Sequence, residues 1–181
     1  MKILLHTCCG PCATYPVTRL LSGSNEVNCF FYNPNIQGYR EYIKRLKAVG
    51  EVCRHFNIAL TIPERYEIEA WFRMVVGDLR DRCSRCYKDR IEKTALKAVE
   101  IGCDVFTSTL LISHKQDHEK IKNICEEAAK SNNIEFYYED FRKGWREHWQ
   151  MTDELDLYKQ NYCGCLFSEY ERFKNKEDCK E

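Results

Sequence analysis

Short apolar runs alternate with helical stretches along this chain, and that order limits its fold more than any other feature of the sequence. Residues 3–7 read as a buried strand, followed by a Cys/Gly/Pro turn and a helix to about residue 21. A second strand covers 27–32 and ends at Asn33-Pro34-Asn35. Over 39–55 the apolar residues Tyr42, Leu46, Val49, Val52, Cys53 and Phe56 recur at three- and four-residue spacing, which predicts a long helix. A third strand spans 58–62 and is closed by Pro63. Helical segments at 66–79 and 87–101 flank Cys83-Ser84-Arg85-Cys86. Strands over 105–110 and 135–139 enclose a helix at 117–131, and the tail is helical or irregular around 145–158 before Cys163-Gly164-Cys165.

Strand–helix–strand repetition implies right-handed crossovers and a mainly parallel sheet. The predicted fold is α/β, three-layer and Rossmann-like, with about five strands and helices on both faces. A single domain over 1–181 accommodates it. Its 64–103 helical segment carries the C-x-x-C, and a 141–181 extension carries the C-G-C. Such sheets bind ligands beyond the carboxyl ends of their strands, where strand order reverses. With the first strand central, Cys8 and Cys9 fall at that crevice, and residues 109–113 lie beside it.

Twelve cysteines in 181 residues demand a chemical reason. The N-terminal apolar run is too short for a signal peptide and lacks a small-residue cleavage site, so the expected location is the cytoplasm. No run reaches the length of a membrane span. In a reducing compartment, clustered cysteines bind metal or carry out redox chemistry. The 28 basic and 28 acidic residues cancel, which excludes an all-over polycation but leaves room for one basic face.

Three cysteine units stand out. Cys8-Cys9-Gly10-Pro11-Cys12 puts three thiols at a strand end, where Gly10 permits a tight turn and Pro11 can open the next helix. A helix N-terminus favours the thiolate. Cys83 and Cys86 can converge on one metal or close a redox disulfide, and with Cys8 and Cys9 they make a set of four. Arg80, Arg82, Arg85, Lys88 and Arg90 surround the second pair, against Asp78, Asp81 and Asp89, and would offset thiolate charge or meet a phosphate, with a solvated helix end the plain alternative for any one arginine. Neighbouring side chains should diverge, so Cys8-Cys9 suits a cluster better than one tetrahedral zinc. Cys163 and Cys165 can form only a strained, readily reduced disulfide, or remain as free or metal-bound thiols. Cys12 can join either site.

Cys29, Cys53, Cys103 and Cys125 read as core residues and Cys179 as incidental. His114 and His118 lie four apart beside the crevice, with a polar or surface role favoured over metal binding. His6 is a core histidine or a partner of the ligand backbone. Arg40, Lys44, Arg45, Lys47, Arg142, Lys143 and Arg146, interleaved with Tyr39, Tyr42, Trp145 and Trp149, would suit RNA and equally suit ordinary amphipathic helices. Neither dinucleotide- nor ATP-binding glycine loops occur. A zinc-binding RNA or protein module and a metal-free thiol–disulfide oxidoreductase compete with the cluster reading. A tRNA-thiolating enzyme is disfavoured by the missing ATP loop.

Taken in order, Leu4-Leu5-His6-Thr7-Cys8-Cys9-Gly10-Pro11-Cys12, Tyr32-Asn33-Pro34-Asn35-Ile36, Cys83-Ser84-Arg85-Cys86 and Tyr162-Cys163-Gly164-Cys165 resemble the cobalamin-independent epoxyqueuosine reductases. The resemblance implies an adenine-nucleotide hydrolase-like fold without its ATP loop, and an oxidoreductase of tRNA queuosine biosynthesis that removes the epoxide oxygen from epoxyqueuosine at the wobble position. It further implies a [4Fe–4S] cluster on Cys8, Cys9, Cys83 and Cys86, and a redox-active pair at Cys163 and Cys165. A second metal, a mononuclear iron or another ion, would be held by Cys12 with Cys163 and Cys165. The implied partners are tRNA carrying epoxyqueuosine and an external electron donor, with no membrane.

Overall fold

The computed structural model describes residues 1–175, so Cys179 lies outside the described residues. Five strands form one parallel sheet: β1 (Lys2–His6), β2 (Glu26–Phe30), β3 (Ala59–Thr61), β4 (Val105–Ser108) and β5 (Glu135–Phe136), in the order β3-β2-β1-β4-β5. β1 is central, with His6 opposite Phe30 of β2 and Ser108 of β4. Ile3, Leu4 and Leu5 are fully buried on both faces, the condition under which an uninterrupted apolar run is stable as a strand.

Right-handed crossovers then sort the helices. α1 (Gly10–Ser22) and α2 (Tyr39–Phe56) carry the chain from β1 through β2 to β3 and pack together on one face. α3 (Ile68–Val76) and α4 (Arg82–Glu100) return it to β4. α4 packs on the other face with α5 (His118–Asn132), which leads to β5. α6 (Trp145–Glu154) lies against α1, and α7 (Leu166–Phe173) follows the C-G-C. The expected three-layer fold is therefore the observed one. Among the described residues, no helix is long and apolar enough to cross a membrane.

Two glycines fix close approaches that position the thiols. A Cβ on Gly10 would lie 2.7 Å from both the Cβ and the carbonyl oxygen of Ala48, so α1 meets α2 through a glycine–alanine contact. Gly10 thus serves helix packing rather than the tight turn expected of it; it is the first residue of α1, with Cys9 at the N-cap and Pro11 next. At Gly144, a Cβ would lie 2.2 Å from the Tyr15 ring, which seats the start of α6 on α1.

Three boundaries differ from the sequence reading. The C-x-x-C lies in the first turn of α4 and not between helices, which places Cys83 and Cys86 on one helical face. β4 stops at Ser108 because its hydroxyl accepts the Leu110 N–H and caps a 3-10 turn over Thr109–Ile112. Only Glu135 and Phe136 of the fifth run join the sheet by register, although the Tyr137 N–H still reaches the Phe106 carbonyl at 2.9 Å.

Candidate metal-binding thiol site

β1 delivers the chain to the point where the sheet reverses its strand order. His6 is locked there: its Nε2 lies 3.2 Å from the Tyr32 carbonyl and its Nδ1 2.9 Å from Ser108 Oγ. A carbonyl can only accept, so Nε2 carries the proton and Nδ1 accepts from Ser108. Burial first, then the Arg90 charge, pushes the His6 pKa down to about 4, and the ring is a neutral tie across β2, β1 and β4.

Beyond it, the sulphurs of Cys8, Cys9 and Cys12 all lie within 4.8 Å of one another, and no other group of three metal-binding side chains occurs among the described residues. The Cys9 sulphur lies 3.7 Å from that of Cys8, although Cys9 has an extended backbone (φ −169°, ψ 166°). The expected divergence of these neighbours is therefore not what the structure shows. Bonds of about 2.3 Å in tetrahedral geometry put two sulphurs on one metal at about 3.8 Å, so the spacing also suits a single ion.

Two of the three sulphurs are held from outside. The Thr109 hydroxyl donates to Cys8 Sγ (3.3 Å) and accepts the Cys8 N–H (3.0 Å), and Gln160 Nε2 donates to Cys9 Sγ (2.6 Å). His148 Nδ1 donates to the Pro11 carbonyl (2.7 Å). Thiol donation from Cys12 and Cys9 holds the Cys8 pKa well below the ordinary thiol value. Burial pushes Cys9 up, and the Cys8 thiolate pushes Cys12 up. A cation bound by the trio would displace its thiol protons.

The second neighbourhood is built differently. Cys86 and Cys165 are buried with Trp71 and Val75 in a small apolar cluster edged by Phe72, Met74 and Phe167, while Cys83 is exposed. Cys165 caps α7 by accepting the Ser168 N–H (3.4 Å). Gly164 has φ +134°, a conformation side chains disfavour, and a Cβ there would come within 3.0 Å of Ile36. The buried Asn33–Gln37 loop holds this segment: the Gln37 N–H donates to the Gly164 carbonyl (2.9 Å), and Gln37 Oε1 accepts the Leu166 N–H (2.9 Å). Asn33 Nδ2 meanwhile donates to the Thr7 carbonyl (2.9 Å), so one loop spans β1 and the C-G-C. Burial pushes the Cys163 thiol up to about 11, and Gln116 Nε2 faces it at 3.7 Å.

Cys83 and Cys86 do not enter the three-thiol group. Both neighbourhoods nonetheless meet the charge of Arg90, which acts on Cys86, Cys163 and Cys8. Arg45 works in parallel: it is buried, pairs with Glu41 (2.7 Å) and donates to the carbonyls of Cys163 (2.9 Å) and Tyr162 (3.3 Å). It is therefore unavailable to the RNA phosphates it was grouped to meet, and buried Tyr42 offers no stacking surface. His114 stacks edge-on with Trp145 and His118 faces Tyr138, so the pair does not converge. The sequence reading placed Thr109 beside the crevice without assigning it a role, and did not single out Gln160, His148 or Trp71. Only Trp71 carried a signal, lying four residues from Val75 on the apolar face of α3.

The donor set fits a metal centre: three convergent thiols, a further buried thiol at Cys86 that shares the Arg90 charge with Cys8, and a buried guanidinium nitrogen, Arg90 Nη2, with no hydrogen-bond partner.

Comparison with known proteins agrees with this chemistry. The family model for epoxyqueuosine reductase QueH matches residues 3–171. The chain is 36% identical over 172 residues to the epoxyqueuosine reductase QueH of Dehalococcoides mccartyi, covering 95% of this chain and 94% of that one. It is also 36% identical over 179 residues to the Thermotoga maritima protein of the same name, covering 94% and 91%. A solved structure of a predicted tRNA methyltransferase subunit from Methanocaldococcus jannaschii shares the fold, at a TM-score of 0.50 and 10% identity over 85% of this chain and 76% of that one. With the family pattern running through every structural layer and through all three cysteine units, the chain belongs to the epoxyqueuosine reductase QueH family.

Proposed function

We propose that this chain reduces the epoxide of epoxyqueuosine in tRNA to the alkene of queuosine. Convergence of Cys8, Cys9 and Cys12 at the sheet's reversal point, inside the family-matched segment, carries the reading. Cys8, Cys9, Cys83 and Cys86 would hold a [4Fe–4S] cluster; Cys163 and Cys165 would act as a dithiol or, in the alternative, would hold a second metal with Cys12. A cluster, when bound, supplies one-electron transfer and a Lewis-acidic iron.

Removal of the epoxide oxygen as water consumes two electrons and two protons. The Cys163 and Cys165 thiols together release both on forming one disulfide, which an external donor must reduce again. Cys163 keeps its proton at neutral pH because burial raises its pKa to about 11. Thr109, Gln160 and Arg45 orient the sulphur-bearing segments and exclude water from them.

The test is anaerobic reconstitution with iron and sulfide, then incubation with tRNA carrying epoxyqueuosine. The modified nucleoside should lose the mass of one oxygen atom, and the Cys163→Ser variant should lose at least tenfold in rate. Full activity of that variant would end the dithiol role. The 3.7 Å spacing of Cys8 and Cys9 favours a second reading, a single metal ion on Cys8, Cys9 and Cys12. One metal per chain without acid-labile sulfide would select it.

A further inference from the structure

Arg90 is one of two arginines buried almost completely, and the two are treated oppositely by the fold. Arg45 has Glu41 at 2.7 Å. Arg90 is 1% exposed, and none of the ion pairs among the described residues includes it. Its Nε donates to the Cys86 carbonyl (3.2 Å), the Tyr87 ring lies 5.8 Å from its Cζ, and its Nη2 has no partner. The adjacent carboxylate of Asp89 turns to Tyr32 instead. Arginine cannot shed its proton, so this is a permanent cation removed from water with no ion-paired carboxylate among the described residues.

Its position says which anion is meant. Arg90 lies four residues after Cys86 on α4, on the face that also carries Cys83, in a stripe otherwise continued by Ile91, Thr94 and Ala95. Besides Tyr87, His6 and Asp89, its charge reaches sulphurs from all three cysteine units: Cys86, Cys163 and Cys8. We infer that the Arg90 guanidinium is the counter-cation of a thiolate-ligated metal centre lying between Cys8 and Cys86. This rests on the reading of those cysteines as ligands.

Two consequences have opposite signs. A metal centre ligated by thiolates is a net anion, and an added electron makes it more so. A buried cation beside it favours loading and favours the reduced state, so it raises the potential. In the metal-free protein the same cation has no ion-pair partner among the described residues, and its burial weakens the fold.

The experiment compares wild type, Arg90→Met and Arg90→Lys, each prepared metal-free and then reconstituted anaerobically with iron and sulfide. Metal-free Arg90→Met should melt higher than metal-free wild type, with an unchanged circular dichroism spectrum. After reconstitution it should retain less than half the wild-type iron. Its midpoint should be lower by about 59 mV or more, a tenfold shift in the oxidised-to-reduced ratio of a one-electron couple. Arg90→Lys, which keeps the charge, should recover most of both. Arg90→Met with wild-type iron content and midpoint would overturn the inference while leaving the ligand reading intact. Wild type that takes up no iron would overturn both.

Discussion

The two cysteine neighbourhoods are held by different amounts of protein. Cys8, Cys9 and Cys12 stand on the turn between the central strand and its first helix, tied to β4 through Thr109 and to α6 through His148, over the main apolar core. Cys83, Cys86, Cys163 and Cys165 belong to a helix start and a loop that share a second, small cluster of four buried residues. The first set can be rearranged only by disturbing the sheet. The second can open while the sheet stays folded, because stability in a protein is distributed unevenly. A site with one preformed half and one half able to yield suits a large substrate that must reach a buried centre.

Trp71 is the sharpest probe of that asymmetry. It is the largest side chain of the small cluster, and truncating a buried tryptophan costs about 3–5 kcal/mol. If the comparison holds, metal-free Trp71→Ala should open the second neighbourhood locally. Cys86 and Cys165 should react with a thiol reagent at least tenfold faster, while Cys9 keeps its wild-type rate. The urea midpoint of the whole protein should then fall by much less than the full cavity cost. Equal acceleration at Cys9 would show the two halves unfolding as one.

Gly10→Ala probes the other half and should act globally. The added methyl meets the Ala48 backbone at 2.7–2.8 Å, which no side-chain rotation relieves. Overpacking of this kind costs about 1–3 kcal/mol, against up to about 1 kcal/mol returned by alanine's helix propensity. The expected net loss is about 1–2 kcal/mol in urea unfolding, with every buried thiol labelling faster in proportion. Acceleration confined to Cys8, Cys9 and Cys12 would mean that the turn is less integrated with the sheet than its contacts imply.

How far these halves are readable in sequence differs in the same way. The Ile3–Leu5 run, the four other strand positions and the helical periods placed Cys8 and Cys9 at the sheet's reversal point, because burial on both faces writes itself into residue type. The second half left a weaker trace. No apolar period begins before Cys86, so the first turn of α4, which follows Asp81 at the N-cap, read as a linker. Charge misled most. Arg45 and Arg90 occupy core positions of α2 and α4, yet a basic residue reads as surface unless its partner is known. For Arg45 that partner was Glu41, one turn away, while Arg90 forms no ion pair among the described residues and its Nη2 has no hydrogen-bond partner there. Thr109 and Gln160 meet their sulphurs across 101 and 151 residues, a separation that carries no local pattern.

The smallest effect separates structure from chemistry at Cys165. Its sulphur accepts the Ser168 N–H as the cap of α7, a helix of eight residues with no buried side chain of its own. A serine retains an acceptor at that position, whereas alanine leaves the first turn uncapped at a cost of about 1 kcal/mol. Cys165→Ser and Cys165→Ala should therefore differ by about that amount in urea unfolding of the metal-free protein, with serine the more stable. As redox partners of Cys163 the two variants should be equally inactive, because neither can form a disulfide. Equal stability together with unequal activity would assign Cys165 a role other than these two, and would move the dithiol chemistry elsewhere in the site.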